Sequence, residues 1–64
     1  MSNFVKVKIY DSEKYVFVYK LNISGIWNTS DNNNRVLISM NNRDDDIQAY
    51  NPYETIEEFV TKFE

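Results

Sequence analysis

Phe4-Val5-Lys6-Val7-Lys8-Ile9-Tyr10 and Tyr15-Val16-Phe17-Val18-Tyr19-Lys20-Leu21 are separated only by the polar segment Asp11-Ser12-Glu13-Lys14. In the first run Val5, Val7 and Ile9 fall on one face, with Phe4, Lys6, Lys8 and Tyr10 on the other. The second sets Val16 and Val18 opposite Tyr15, Phe17 and Tyr19. A period of two, rich in β-branched and aromatic residues, is the pattern of a half-buried strand. Two such runs around a short polar turn predict an antiparallel hairpin. Pairing Asp11 with Lys14 around Ser12-Glu13 would set Ile9 opposite Val16, Val7 opposite Val18 and Tyr10 opposite Tyr15. It would also set Lys8 opposite Phe17 and Lys6 opposite Tyr19, with like residues meeting on each face.

The pattern continues outward from this hairpin. Leu21, Ile23, Ile26 and Trp27 break strict alternation around Gly25, which signals a bulge or bend. A strand is expected to restart near Ser24 and run to a turn at Ser30–Asn34. Val36, Ile38 and Met40 then alternate along a strand at 35–40, and Ile47 to Tyr50 form a short last strand after the polar loop 41–46. Ile56, Phe59, Val60 and Phe63 recur at i, i+3, i+4 and i+7, one apolar stripe of a helix. Asn51 as N-cap, Pro52 at N1 and Glu54 at N3 predict where that helix begins. Tyr50 and Tyr53, on either side of its start, are expected to clamp it to the sheet. The fold class is therefore α+β: a small antiparallel sheet of about four strands in the order ββββα, with one C-terminal helix packed on it. No linker or repeat divides residues 1–64, so one domain is expected.

Composition narrows the function. The 64 residues contain no Cys and no His, which removes disulfides, the usual zinc sites and the common nucleophile–base pairs. A catalytic site and a cofactor are not expected, and neither is a metal. Asp44-Asp45-Asp46 are consecutive and lack the spaced oxygen ligands and sharp-turn glycine of a calcium loop, so they read as a solvated turn. Ten Asp and Glu against seven Lys and Arg leave a net charge of −3, which disfavours general binding to a phosphate backbone. No apolar run reaches the ~20 residues of a membrane span, and a cytoplasmic location is the expectation. Nine Asn among many Ile, Lys, Tyr and Phe suit an AT-rich coding sequence of the kind found in low-GC bacteria and their phages.

Ten of the residues are aromatic, too many large rings for the interior of a domain this small. Phe4, Lys6, Lys8, Tyr10, Tyr15, Phe17 and Tyr19 share the face turned from the valines. Three readings of that face stand side by side. Lysine stems could simply lie across rings on a solvated sheet. The rings could anchor a second copy or another protein. The face could also stack a base or nucleotide. Trp27, the only indole, reads as a core or dimer residue and joins the candidate interface set.

Leu21-Asn22-Ile23 with Ile26, Val36 to Met40, Ile47 to Tyr50, and Tyr53 to Val60 together resemble, in order and hydrophobic pattern, the short FlbD-like proteins of flagellar operons and similar small phage proteins. The resemblance implies the ββββα order and transfers no site residues. It also has gaps: the loop at 41–46 lacks the usual glycine and the first hairpin carries more rings. The functional expectation is a small phage- or mobile-element-encoded interaction protein, homo-oligomeric with a dimer as first expectation. Its expected partner is a host protein that it inhibits, such as a defence enzyme. The alternatives are a small-ligand or nucleotide binder using the aromatic–lysine face, and a nucleic-acid-associated regulator.

Overall fold

The computed structural model describes residues 3–29, 34–53 and 55–64. Its elements in order are β1 (Phe4–Lys8), β2 (Tyr15–Tyr19), a 3₁₀ turn (Lys20–Asn22), β3 (Ile23–Asn28), β4 (Arg35–Met40), β5 (Ile47–Tyr50), α1 (Ile56–Val60) and a closing 3₁₀ turn (Thr61–Phe63). The α+β class and the C-terminal helix stand as expected. The strands number five, in two antiparallel sheets ordered β1-β2 and β3-β4-β5. An isolated antiparallel bridge between Ile9 and Ala49 joins the two sheets. A hydrogen bond from the Tyr10 amide to the Gln48 carbonyl, 3.0 Å, reinforces it.

The hairpin register differs from the expected one by two residues. Phe4 pairs with Tyr19, Lys6 with Phe17, Val7 with Val16, and Lys8 with Tyr15. The Ile9 amide donates to the Lys14 carbonyl at 2.9 Å, so the loop is Tyr10–Glu13 rather than Ser12-Glu13. The reason is local. A two-residue hairpin turn needs positive φ at one or both central positions, which Ser12-Glu13 is poorly suited to supply. The longer loop instead puts Asp11, a residue that tolerates the left-handed region, at φ 58°. The Lys14 amide then donates to Ser12 Oγ at 3.1 Å. Because the shift is even, every side chain keeps its face.

In the larger sheet, Ile23 pairs with Met40 and Gly25 with Ser39, which leaves Ser24 as the extra residue of a bulge. Its hydroxyl donates to the Ser39 carbonyl at 3.2 Å, across the irregularity. Arg35 pairs with Tyr50 and Ile38 with Ile47 on the other side of β4. Of the turn expected at Ser30–Asn34, only Asn34 lies among the described residues; it has φ 58°, and its carbonyl accepts from the buried Asn51 amide at 2.6 Å.

The helix begins later than expected. Its N-cap is Thr55, whose Oγ1 accepts from the Glu58 amide at 3.2 Å and donates to Glu58 Oε1 at 3.2 Å. The same two residues thus pair through side chain and backbone at the helix start. Asn51 instead forms a turn of its own, accepting the Tyr53 amide on Oδ1 at 2.9 Å. Pro52 consequently sits before the helix, and Glu54, expected at N3, lies outside the described residues. Thr55→Ala is expected to destabilise the protein by about 0.5–2 kcal/mol, read as a lower urea midpoint with an unchanged slope.

Valine and isoleucine faces from both sheets meet the helix stripe in one core. Val7, Val18, Val36, Ile38 and Phe59 are its largest fully buried side chains, with Met40, Ile47 and Ala49 completing it. Ile56 and Phe63 pack against that cluster, and the Phe59 and Phe63 ring centroids are 5.6 Å apart. The tyrosines do not clamp the helix. Tyr53 is exposed, and the Tyr50 ring lies under Lys8 on the other side of the sheet.

Candidate functional interface

Alternation along β1 and β2 turns Phe4, Lys6, Lys8, Tyr15, Phe17 and Tyr19 away from the core. Phe17 is 65% exposed, Tyr15 56% and Phe4 53%. Water-facing rings in such density on one small hairpin are uncommon on a freely solvated surface. Phe4 and Tyr19, directly paired, have ring centroids 5.2 Å apart. The Lys6 ammonium sits 4.7 Å from the centroid of Tyr15, its diagonal neighbour, rather than over Phe17 opposite it.

The bridge at Ile9 carries this face onto the second sheet. Lys8 reaches across it to lie 5.2 Å from the Tyr50 ring centroid. Tyr10, expected opposite Tyr15, has left β2 altogether; the Arg35 guanidinium lies 5.2 Å from its ring centroid. Arg35 also donates from Nη1 to Gln48 Oε1 at 3.1 Å. Further along, Trp27 pairs with Leu37 on the same outer side and is 44% exposed. Trp27 therefore lines the outer surface, on β3, with β4 and β5 between it and the hairpin.

No protein-family model, no curated protein and no solved structure matches the chain.

The electrostatics of the face follow from position. Lys6, Lys8 and Arg35 supply its cations. The described carboxylates lie elsewhere, at Asp11 and Glu13 in the hairpin loop, Asp44–Asp46 before β5, and Glu57, Glu58 and Glu64 at the C-terminal end; all are exposed. A chain of net negative charge thus presents one locally positive, ring-lined surface, and the acids surround the opposite layer and the loops. Strand periodicity brought out the hairpin part of this face, but Arg35 and Tyr50 enter it only through the inter-sheet bridge.

Gly25 shapes the Trp27 end. A Cβ built on Gly25 would stand 2.8 Å from Trp27 Cζ3, so the indole lies across the glycine as a side chain two residues on does in a strand. Gly25→Ala is expected to push the ring outward, shifting tryptophan emission to the red and raising its quenching by iodide, with a stability change under about 1 kcal/mol.

A separate open cleft of about 320 Å³ lies beside the hairpin loop. Ile9, Val16 and Ile47 line it with Tyr10, Gln48, Arg43 and Asp46. It touches the outer face at Tyr10 and Gln48, while the exposed rings of Phe4, Tyr15 and Phe17 are not part of its lining.

Among the described residues no helix is long and apolar enough to cross a membrane, and no group of three potential metal ligands comes together.

Proposed function

We propose that the chain is a protein-binding module that acts as a homo-oligomer and uses the outer sheet face to cover a surface of a partner protein. The observation that carries this is the exposure of Phe4, Tyr15 and Phe17 side by side with Lys6 and Lys8. Aromatic anchors surrounded by positive groups suit a partner surface with an apolar centre and an acidic rim. Binding of this kind acts by occupying the partner's surface, so inhibition of a host protein is the mode of action it supports best. The test is affinity capture from a lysate of the source cell by wild type and by a Phe4→Ser, Lys8→Glu variant. Wild type should retain a protein that the variant loses; equal retention would remove this face from the reading.

A second reading draws on the same cations. Rings with Lys6, Lys8 and Arg35 beside them could stack bases and neutralise phosphates of a single strand. The net charge of −3 opposes a polyanion. Binding to an oligonucleotide that weakens steeply with salt would favour this alternative over a protein partner.

A further inference from the structure

We propose that two copies of the chain join edge to edge through β2, antiparallel, with Phe17 on the two-fold axis. This rests on the homo-oligomeric reading above and assigns its geometry. The first support is an open edge. β1 is the only strand partner of β2 among the described residues. Paired amides at either end set the phase of the hydrogen bonds: Ile9 N–H to the Lys14 carbonyl at 2.9 Å, and Lys20 N–H to the Asn3 carbonyl at 2.8 Å. Alternation between them turns the peptide groups of Val16 and Val18 toward β1. The peptide groups of Tyr15 and Phe17, and the Tyr19 N–H, therefore point out along the free edge.

That edge carries none of the usual protection. Tyr15-Val16-Phe17-Val18-Tyr19 has no charge, proline, glycine or bulge and consists wholly of strong strand formers. Natural proteins seldom leave such a strand bare.

The sequence of the strand selects the occupant. Tyr-Val-Phe-Val-Tyr reads the same in both directions, so a two-fold axis through Phe17 matches it to itself. Phe17 then meets Phe17 of the second copy, each Val16 meets a Val18, and each Tyr15 meets a Tyr19. Phe17 meets Phe17 and Tyr15 meets Tyr19 with their outward amides facing, so these pairs become the hydrogen-bonded ones and the Val16–Val18 pairs between them do not. A register shift of one residue would set outward amides against inward ones and turn valines toward the aromatic side. A shift of two would leave a tyrosine unpaired. Symmetry of this kind makes a closed, isologous contact, with valines continuing the core side and rings the outer side.

Charge agrees with a neutral seam. The strand itself is uncharged, and Lys6 is held back over Tyr15 from β1. The seam ends bring Lys14 of one copy toward Lys20 of the other, so added salt should tighten the dimer. The arrangement joins two ring-bearing hairpins into one doubled outer face, available to a partner.

Because the chain contains no cysteine, single-cysteine variants report the seam directly. A hydrogen-bonded antiparallel pair has Cα atoms about 5.5 Å apart, within disulfide reach. Phe17→Cys should form a covalent dimer under mild oxidation, and Lys6→Cys, one strand inward, should not. In sedimentation velocity, a synthetic chain with an N-methylated Phe17 amide should keep its circular dichroism and raise the dimer dissociation constant about ten- to a hundredfold, through loss of the two central donors. Phe17→Pro should act likewise, since the hairpin does not use that N–H. A monomer at all micromolar concentrations overturns the edge pairing and the oligomer together. A dimer that crosslinks through Lys6→Cys and ignores N-methylation overturns the edge pairing alone and leaves association through the face standing.

Discussion

Phe59→Ala is expected to leave the chain largely unfolded at 25 °C. Phe59 is fully buried and is the largest side chain in the core. It brings the helix against both sheets, in the cluster that holds Val7 and Val18 of the hairpin and Val36 and Ile38 of the larger sheet. Truncating a buried phenylalanine costs about 3–5 kcal/mol through lost transfer energy and the cavity left behind. A domain of this length has a total stability of roughly 3–10 kcal/mol at ~0.05–0.15 kcal/mol per residue. The loss is therefore comparable with the whole. Far-ultraviolet circular dichroism and a urea titration check it; a two-state transition displaced by less than about 1 kcal/mol would mean that the helix is not the lid of this core. Phe63→Ala should cost less, because Phe63 is only partly buried.

Ala49→Leu is expected to cost about 1–3 kcal/mol by overpacking, and to do so at one place, the joint between the sheets. Ala49 is fully buried, pairs with Val36 on one side and bridges Ile9 on the other. Its methyl group is small enough to let β1 and β5 approach. A leucine there must push the hairpin from the three-stranded sheet. The Tyr10 amide, bonded to the Gln48 carbonyl at 3.0 Å, should then exchange with deuterium faster than amides between β3 and β4. Uniform acceleration across all strands would place the strain elsewhere. Since Lys8 and Arg35 stack on Tyr50 and Tyr10 across this joint, the substitution should also disturb the outer face.

Much of the outer face was legible from the chain. Phe4, Lys6, Lys8, Tyr15, Phe17 and Tyr19 turn outward as their alternation requires, and Phe4, Tyr15 and Phe17 are the exposed rings among them. Tyr10 was not legible, because it lies in the loop and its amide bonds to the second sheet, where Arg35 meets its ring. Tyr50, next to the expected helix start, reads from sequence as a helix clamp; its place in β5 opposite Arg35 puts it on the outer side. Asn51 is the expected cap because Glu54 follows it at capping-box spacing; Glu58 follows Thr55 at the same spacing, and only the backbone shows which turn becomes helical.

What the amino-acid order determined by itself is what periodicity can carry: which strand residues face inward, that Ile56, Phe59 and Phe63 form one helical stripe, and that β2 is a palindrome of strand formers. Tertiary structure alone decided the hairpin register, the division into two sheets and the bridge at Ile9 and Ala49. The physical reason is parity. A shift of two residues leaves every side chain on its original face, so burial pattern is silent about it. Loop geometry at Asp11, and the packing that brings β5 against the end of β1, make that choice.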